Sequence, residues 1–364
     1  NDDEIGRIGN LKIIIIDSNI ISDCQMIGTG VFSPIKGFMD KKTLKCVLNK
    51  NILPEGEIWT MPILFPVTKD IADRVSIGEE IELKSYEGRT IALLSLKDIF
   101  QYDLKTLSND WFGTSSLKHP GVARINKLGD YFLAGSIKLV STPTNQYEMT
   151  PEQCRIVFGH KGWRHVVAFH TRNIPHRVHE HIMLDALNLT NSDGIFINPV
   201  FGSKKSGDFS SSAIMKAYQV LIQSEVFPVG KSIMGSFSTY SRYAGPREAI
   251  FTALCRKNMG CDYFIVGRDH TGVGDYYKSN SSQQLFETIG DIGIEPVFFN
   301  ALGYDHKIKK YVSVDSSPNI EIISGTRFRE ALNDRKKVPS WLVRSSIQEV
   351  LFSIIDKGEK IFCE

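Results

Sequence analysis

From about residue 152 onward, short apolar runs alternate with amphipathic stretches, and this alternation restricts the fold more than any other feature of the 364 residues. The runs Val166–Phe169, Ile195–Ile197, Ile233–Phe237, Tyr263–Val266 and Val297–Phe299 are predicted strands. Between them, His179–Leu187, Ser211–Ser224, Pro246–Asn258 and Gln283–Ile289 are predicted helices; Pro246 suits a first helical turn and Gly260 an exit. Strand and helix in repeated succession predict a parallel sheet with helices on both faces. Ligands of such sheets bind where strands end and helices begin.

Residues 11 to about 140 follow a different pattern. Leu11–Ile16, Ile58–Val67 and the alternating runs Glu80–Lys84 and Arg89–Leu94, around Tyr86-Glu87-Gly88, predict a mostly β region forming a small sheet or barrel. After Ser324-Gly325-Thr326 the spacing predicts a helix over Arg327–Leu332 and a last amphipathic helix over Ser345–Ile355. The expected division is 1–148, 149–310 and 311–364.

Lys and Arg number 43 against 41 Asp and Glu, so no strong field suits a nucleic-acid backbone, and an anion must be captured locally. The six cysteines form no C-x-x-C pair and are expected as reduced thiols in a cytoplasmic protein. No apolar run approaches the roughly 20 residues of a membrane span. The opening Asn1, without a methionine, suggests a trimmed chain or a piece of a longer one.

Six of the nine histidines fall between His160 and His181, around the first predicted strand and the helix that follows it. There His176 and His179 stand three apart, which on a first helical turn puts both on one face beside N–H groups lacking an intrahelical acceptor. That is a phosphate-binding corner. Zinc is an alternative for H-x-x-H, but helical metal pairs usually stand four apart, and no Cys lies near in sequence. Plain packing histidines are a third reading. Gly267-Arg268-Asp269-His270-Thr271-Gly272 ends another apolar run and offers close backbone approach with two phosphate donors. Ser241-Arg242-Tyr243-Ala244-Gly245-Pro246-Arg247-Glu248 reads equally as a second anion corner or as a well-capped helix start.

In this order the segments resemble the ATP sulfurylase family, whose signatures are Q-T-R-N-x-x-H-R-A-H, R-Y-A-G-P-R-E-A, G-R-D-H-A-G and I-S-G-T-x-x-R. They correspond to His170–His179, Arg242–Ala249, Gly267–Gly272 and Ile323–Arg329, while Phe32–Met39 resembles the family's F-S-P-L-x-G-F-M. The resemblance implies an α/β chain: an N-terminal PUA-like β domain, a Rossmann-like nucleotidyltransferase domain of the H-x-G-H type, and a small C-terminal α/β subdomain. It implies adenylation of sulfate by ATP with release of pyrophosphate, by in-line attack without a covalent enzyme intermediate. Arg172, Asn173, His176, His179 and Arg268 would be catalytic; His170, Arg172 and Thr271 would hold sulfate. ATP would lie on Thr171, Asn173, His176, His179, Gly202, Gly267, Asp269, His270 and Gly272. Mg²⁺ would arrive with ATP, held mainly by phosphates. The implied partners are ATP and sulfate, a second copy or more of the chain, and a fused or separate adenylylsulfate kinase, with neither nucleic acid nor membrane.

Three departures qualify the resemblance. His170 replaces the family's Gln; a protonated imidazole there would favour a dianion, so anion affinity would fall as pH rises through the ordinary imidazole range. Asn198–Gly202 and Lys204–Asp208 resemble the family's H-P-V-V-G-x-T-K-x-G-D loop beside the nucleotide, with Lys205 facing phosphate or solvent. Phe298–Ile323 contains no cysteine, so the zinc knot of some bacterial members is not expected, and the absence of G-x-x-x-x-G-K-[ST] argues against kinase activity in these residues. The competing readings are a nucleotidyltransferase using another oxyanion or acceptor, and a catalytically dead homologue kept for nucleotide binding or assembly.

Overall fold

The computed structural model describes residues 5–8, 11–141, 145–268, 270, 272–316, 319–322 and 325–363, with the side chains of 5–8 and of Thr326 excluded. The chain forms two compact units, each drawn from three stretches: Asn1–Arg155, Ser238–Gly260 and Asp269–Ile294 in the first, and Ile156–Phe237, Cys261–Arg268 and Glu295–Glu364 in the second.

The first unit is built on β1 (Ile5–Ile8), β2 (Leu11–Ile15), β3 (Gly37–Phe38), β4 (Phe65–Val67), β5 (Glu80–Lys84), β6 (Thr90–Gln101) and β7 (Tyr131–Leu139). These make one seven-stranded sheet in the order β1-β2-β5-β6-β7-β3, with β4 also on β7. Only β2–β5 pair in parallel among the paired strands described. Gly37 and Gly135 permit the β3–β7 crossing: a Cβ on Gly37 would stand 1.9 Å from the Gly135 carbonyl oxygen.

Helices α1 (Ser18–Gly28), α2 (Lys41–Lys50), α3 (Lys69–Arg74), α4 (Leu104–Phe112) and α5 (Pro120–Ile125) interleave with that sheet in sequence, so the expectation of a mostly β region is corrected. Three of the helices announce themselves by an aspartate cap. Asp17 accepts from the Asn19 and Ile20 N–H groups, Asp40 from Thr43 and Asp103 from Thr106, satisfying donors that the first turn leaves open. The expected strand Ile58–Val67 shrinks to β4. Pro62 removes a ladder donor, the Trp59 N–H is taken by the Asn51 carbonyl, and Ile63 pairs with Met39 outside any ladder.

The second unit opens after α6 (Pro151–His160) with β8 (Val166–Thr171), α7 (Arg177–Leu189), β9 (Gly194–Pro199), α8 (Ser211–Gln223) and β10 (Ser232–Met234). Then α9 (Pro246–Asn258) precedes β11 (Tyr263–Gly267), and α10 (Ser281–Ile289) precedes β12 (Glu295–Phe299). The sheet is parallel throughout, in the order β10-β9-β8-β11-β12. β8 and β9 are buried on both faces, which explains their unbroken apolar runs. Both α9 and α10, expected on the faces of this sheet, fall in the first unit by their contacts. β10 stops three residues short of the expected Phe237, which continues it only as an isolated bridge to Val200.

A three-stranded antiparallel sheet follows, β14 (Lys310–Ser313) beside β13 (Leu302–Asp305) beside β15 (Ile320–Ile322), and none of these strands was located from the residue pattern. Helices α11 (Gly325–Asn333) and α12 (Ser345–Asp356) close the chain near their expected positions, and α12 packs against α8. Val167, Phe169, Met183, Ile195, Tyr218, Phe328, Leu342 and Leu351 belong to one continuous buried core. At roughly 1.5–3 kcal/mol per fully buried large apolar side chain, that core fixes the ends of β8 and β9.

Candidate active site

Sheet order locates the site before any side chain does. From β8 the chain moves outward to β9 and β10, then returns to the other side of β8 as β11, so the order reverses between β8 and β11. Crevices at the carboxyl ends of strands on such a reversal are where ligands of open parallel sheets bind. The segment Arg172–His176 leaves β8 there, and Arg268 follows β11.

Thr171 ends β8 and shapes the exit. Its Oγ1 accepts the Asn173 N–H at 3.0 Å and donates to the Asn173 carbonyl at 3.2 Å, a local turn that aims Arg172 and Asn173 away from the sheet. His176 is the N-cap of α7 rather than part of its first turn, and its Nδ1 accepts the His179 N–H at 3.4 Å. The Arg177 N–H goes to the Leu342 carbonyl. The phosphate corner expected here is therefore corrected in one respect: two of the helix-start N–H donors are taken inside the unit, and what faces a ligand is side chain.

The imidazoles of His176 and His179 stack at 3.6 Å between centroids, 18° from parallel. Burial and the neighbouring His179 hold His176 well below the ordinary imidazole pKa. Burial lowers His179 to about 4, against the opposing effect of its hydrogen bond to the Ile174 backbone. Both rings are thus neutral near pH 7. His179 Nδ1 is buried without a hydrogen-bond partner, a state that costs free energy until something fills it.

A cavity of about 290 Å³ opens in front of these residues. Arg172, Asn173 and His176 form one wall, Lys205 and Asp208 come from the loop after β9, and Arg329 comes from α11. Ile174, Phe209, Phe328, Leu342 and Val343 supply its apolar part. Three cations and several apolar side chains in one lining suit a ligand with a polyanionic part and an apolar part. Below the cavity Glu180, buried on α7, accepts from Arg344 Nε at 2.9 Å to both oxygens and from Arg177 at 2.5 Å. This ties the Leu342–Val343 wall to the start of α7.

The structure brings Arg172, Asn173 and His176 to the cavity, with Thr171 and His179 directly behind them. His170 lies on β8 with its ring edge-on to Phe237 at 6.1 Å, and it is not among the cavity's lining residues. Gly202 sits in the loop after β9, its carbonyl accepting from Lys204; Gly267 ends β11 opposite Phe299. Arg268 belongs to the second unit without lining this cavity, whereas His270 and Gly272 group with the first unit, where Ser282 Oγ donates to the His270 carbonyl. Asp269 and Thr271 lie outside the described residues.

Sequence reasoning did not assign Arg329, Asp208, Glu180 and Arg344 to the site. Arg329 was within reach as the last residue of the I-S-G-T-x-x-R segment; Ile323 and Ser324 of that segment lie outside the described residues. The Arg344–Glu180 pairing spans 164 positions and leaves no local signal. Among the described residues no group of three His, Cys, Asp or Glu could hold a metal ion.

Fold, reversal point and stacked helix-start histidines define a nucleotidyltransferase-like enzyme. The sequence profile of the ATP-sulfurylase family matches residues 145–354 and that of a PUA-like domain matches residues 2–142; the chain belongs to the ATP-sulfurylase family. It is 38% identical to a sulfate adenylyltransferase of Pyrococcus abyssi over 93% of the chain and 89% of that protein. It is 35% identical to a probable bifunctional SAT/APS kinase of Sorangium cellulosum over 95% of the chain and 61% of that protein. Its fold matches a solved hexameric APS kinase from Thiobacillus denitrificans with a TM-score of 0.75 at 19% identity, covering 94% of the chain and 63% of that protein.

Proposed function

We propose that the enzyme joins sulfate to the α-phosphate of ATP: a sulfate oxygen forms the new bond to phosphorus in line with the departing pyrophosphate, which leaves with the electron pair of the broken P–O bond. The cavity that gathers Arg172, Asn173, His176, Lys205 and Arg329 at the carboxyl end of β8 carries this reading. Sulfate is a weak nucleophile and the α-phosphorus is shielded by negative charge, so alignment and charge neutralisation supply the rate and no covalent nucleophile is needed.

In this scheme the Arg172 guanidinium holds sulfate, helped by His170 and the Thr271 backbone, and Asn173 contacts the triphosphate. His176 and His179, as neutral donors, stabilise charge gathering on the pyrophosphate, and Arg268 serves the pentavalent centre. Thr171, Gly202, Gly267, Asp269, His270 and Gly272 border the nucleotide. Magnesium, bound to the phosphates of ATP, would neutralise charge there. Asp208 is the single carboxylate among the described residues lining the cavity, which fits a cation that keeps most of its waters.

We retain 1–148, 149–310 and 311–364 as the functional division of the sequence. We also propose cytoplasmic location, a dimer or larger assembly, and an adenylylsulfate kinase as the partner that consumes the product. Among the described residues no helix is long and apolar enough to cross a membrane. The test is pyrophosphate release from Mg·ATP with and without sulfate, repeated with molybdate, whose adenylate decomposes and so drives turnover to AMP. Release that does not depend on an oxyanion would overturn the proposal.

A further inference from the structure

The loop after β9 carries two consecutive lysines with opposite placements. Lys205 is exposed and lines the cavity. Lys204 is half-buried, and its Nζ donates to the Val200 carbonyl at 3.4 Å, the Gly202 carbonyl at 3.2 Å and Ser211 Oγ at 2.7 Å. An ammonium has three N–H donors, and all three have an acceptor here. Ser211 is the first residue of α8, so this one group ties the start of the loop to the helix that follows it.

The far end of the loop is held separately. The Gly207 N–H goes to the Cys363 carbonyl at 3.0 Å, the Cys363 N–H to the Asp208 carbonyl at 2.8 Å, and the Ser210 N–H to the Ile361 carbonyl at 2.8 Å. Lys205 stands between the two anchors, and Asp208 lies within the second. A threonine, which the related motif carries at position 204, is too short to bridge the same three acceptors.

We propose that Lys204 is a positioning residue for the nucleotide: its ammonium closes the first half of the loop so that Lys205 and Asp208 are presented at the cavity beside Arg172. The inference rests on the reading of this cavity as the ATP site. It requires the charged form, because a neutral amine has two N–H donors for three acceptors and one contact must be given up.

The charged and titratable groups facing Lys204 are the Cys363 thiol, the Asp208 carboxyl and the Arg172 guanidinium. Burial is the largest influence and, with Arg172, lowers the Lys204 pKa to about 8, against the opposing pull of Cys363 and Asp208. The ammonium is intact at pH 7 and mostly lost by pH 9.5. The device is therefore closed below pH 8 and loosens above it.

The experiment compares the full chain with Lys204→Met, Lys204→Thr and Lys204→Arg, measuring equilibrium binding of Mg·ATP by calorimetry at pH 7 and 9.5 beside KM and kcat. Wild type should bind Mg·ATP about tenfold more weakly at pH 9.5 than at pH 7, the loss of roughly one charge-assisted hydrogen bond. Lys204→Met and Lys204→Thr should be about tenfold weak at both pH values, with KM for ATP raised and kcat changed less than twofold. Lys204→Arg, charged throughout, should bind near wild type at pH 7 and lose the alkaline weakening. Wild-type affinity in Lys204→Met, or an alkaline weakening unchanged in Lys204→Arg, would sink the proposal. The same follows if KM for sulfate rises while kcat and melting temperature fall along with ATP affinity, since that marks plain structural damage. Binding is read apart from turnover, so absence of sulfate-stimulated release would overturn the assigned reaction and leave the Lys204 result standing.

Discussion

Two arginine-bearing segments, Arg172–His179 in the second unit and Ser241–Glu248 in the first, have the same look in sequence: polar residues leading out of an extended stretch into a helix. In the fold they do opposite things. Arg172 stands on the wall of a cavity. Arg242 is fully buried, its Nη2 2.6 Å from Asp23 Oδ1 and its Nη1 on Thr239 Oγ1 and the Tyr240 carbonyl, with its plane over the Tyr240, Phe251 and Phe32 rings. The Glu248 carboxylate caps the Arg242 and Ala244 N–H groups, and Tyr243 takes φ +60 to allow it. Arg247 is spent on the Val47 and Leu48 carbonyls and Asn51. Of the two readings left open for this segment, the anion corner loses its arginines to contacts inside the unit, and the helix start is not side-chain capped, since the N-cap Gly245 of α9 has no side-chain cap bond. The burial of Arg242 leaves no local trace, because Asp23 lies 219 positions away.

The sharpest way to break that contrast is to delete each arginine. Arg172→Ala should lower sulfate-dependent pyrophosphate release on the order of 10²–10³-fold with the urea midpoint unchanged. Arg242→Ala should cost about 3–5 kcal/mol of unfolding free energy by leaving Asp23 buried without its counter-charge, while the folded fraction retains near-wild-type kcat. An exchange of these outcomes would reverse the assignment of the two segments.

Next in size, Glu180→Gln should cost about 1–3 kcal/mol, since two arginines lose a carboxylate, and should raise KM for ATP several-fold by releasing the Leu342–Val343 wall. Denaturation with steady-state kinetics checks both, and a normal KM would show the wall to be held by packing alone.

The histidine pair gives a pH signature. Its folded pKa values lie below the unfolded imidazole value, so on acidification the unfolded chain takes up the protons first. That stability is complete above about pH 6.5 and is lost as pH falls toward about 4, so the melting temperature should drop by several degrees across this window. His179→Gln should flatten the drop. The smallest effect belongs to His170→Gln, which should change KM for sulfate by only a few-fold at about pH 7, read by steady-state kinetics.

What could be read in advance was whatever local spacing controls. The alternation after residue 152 places β8, α7, β9, α8, β11 and β12 because a parallel core strand must be apolar on both faces. Helix α9 begins and ends where Pro246 and Gly260 direct. The early helices escaped although Asp17, Asp40 and Asp103 mark their starts, because the short apolar runs between them look like strands. At the site, Arg172, Asn173 and His176 were legible from one contiguous motif. The stacking of His176 on His179, Glu180's two arginines and Lys204's three acceptors were not, because burial and distant pairing decide them.

The path of the chain through the first unit has a consequence for how the protein is made. Asp23 is synthesised 219 residues before the arginine that neutralises it, and the rings of Phe32 and Trp59 likewise wait for the much later Phe251, which covers them at 5.0 and 5.6 Å. On the ribosome the core of the first unit must therefore stay incomplete until residues 238–294 have emerged, after the β8–β10 half of the second unit is already out. A fragment ending before residue 238 would hold a carboxylate without its counter-charge and an uncovered aromatic face, and it should aggregate or recruit chaperones in proportion to that delay.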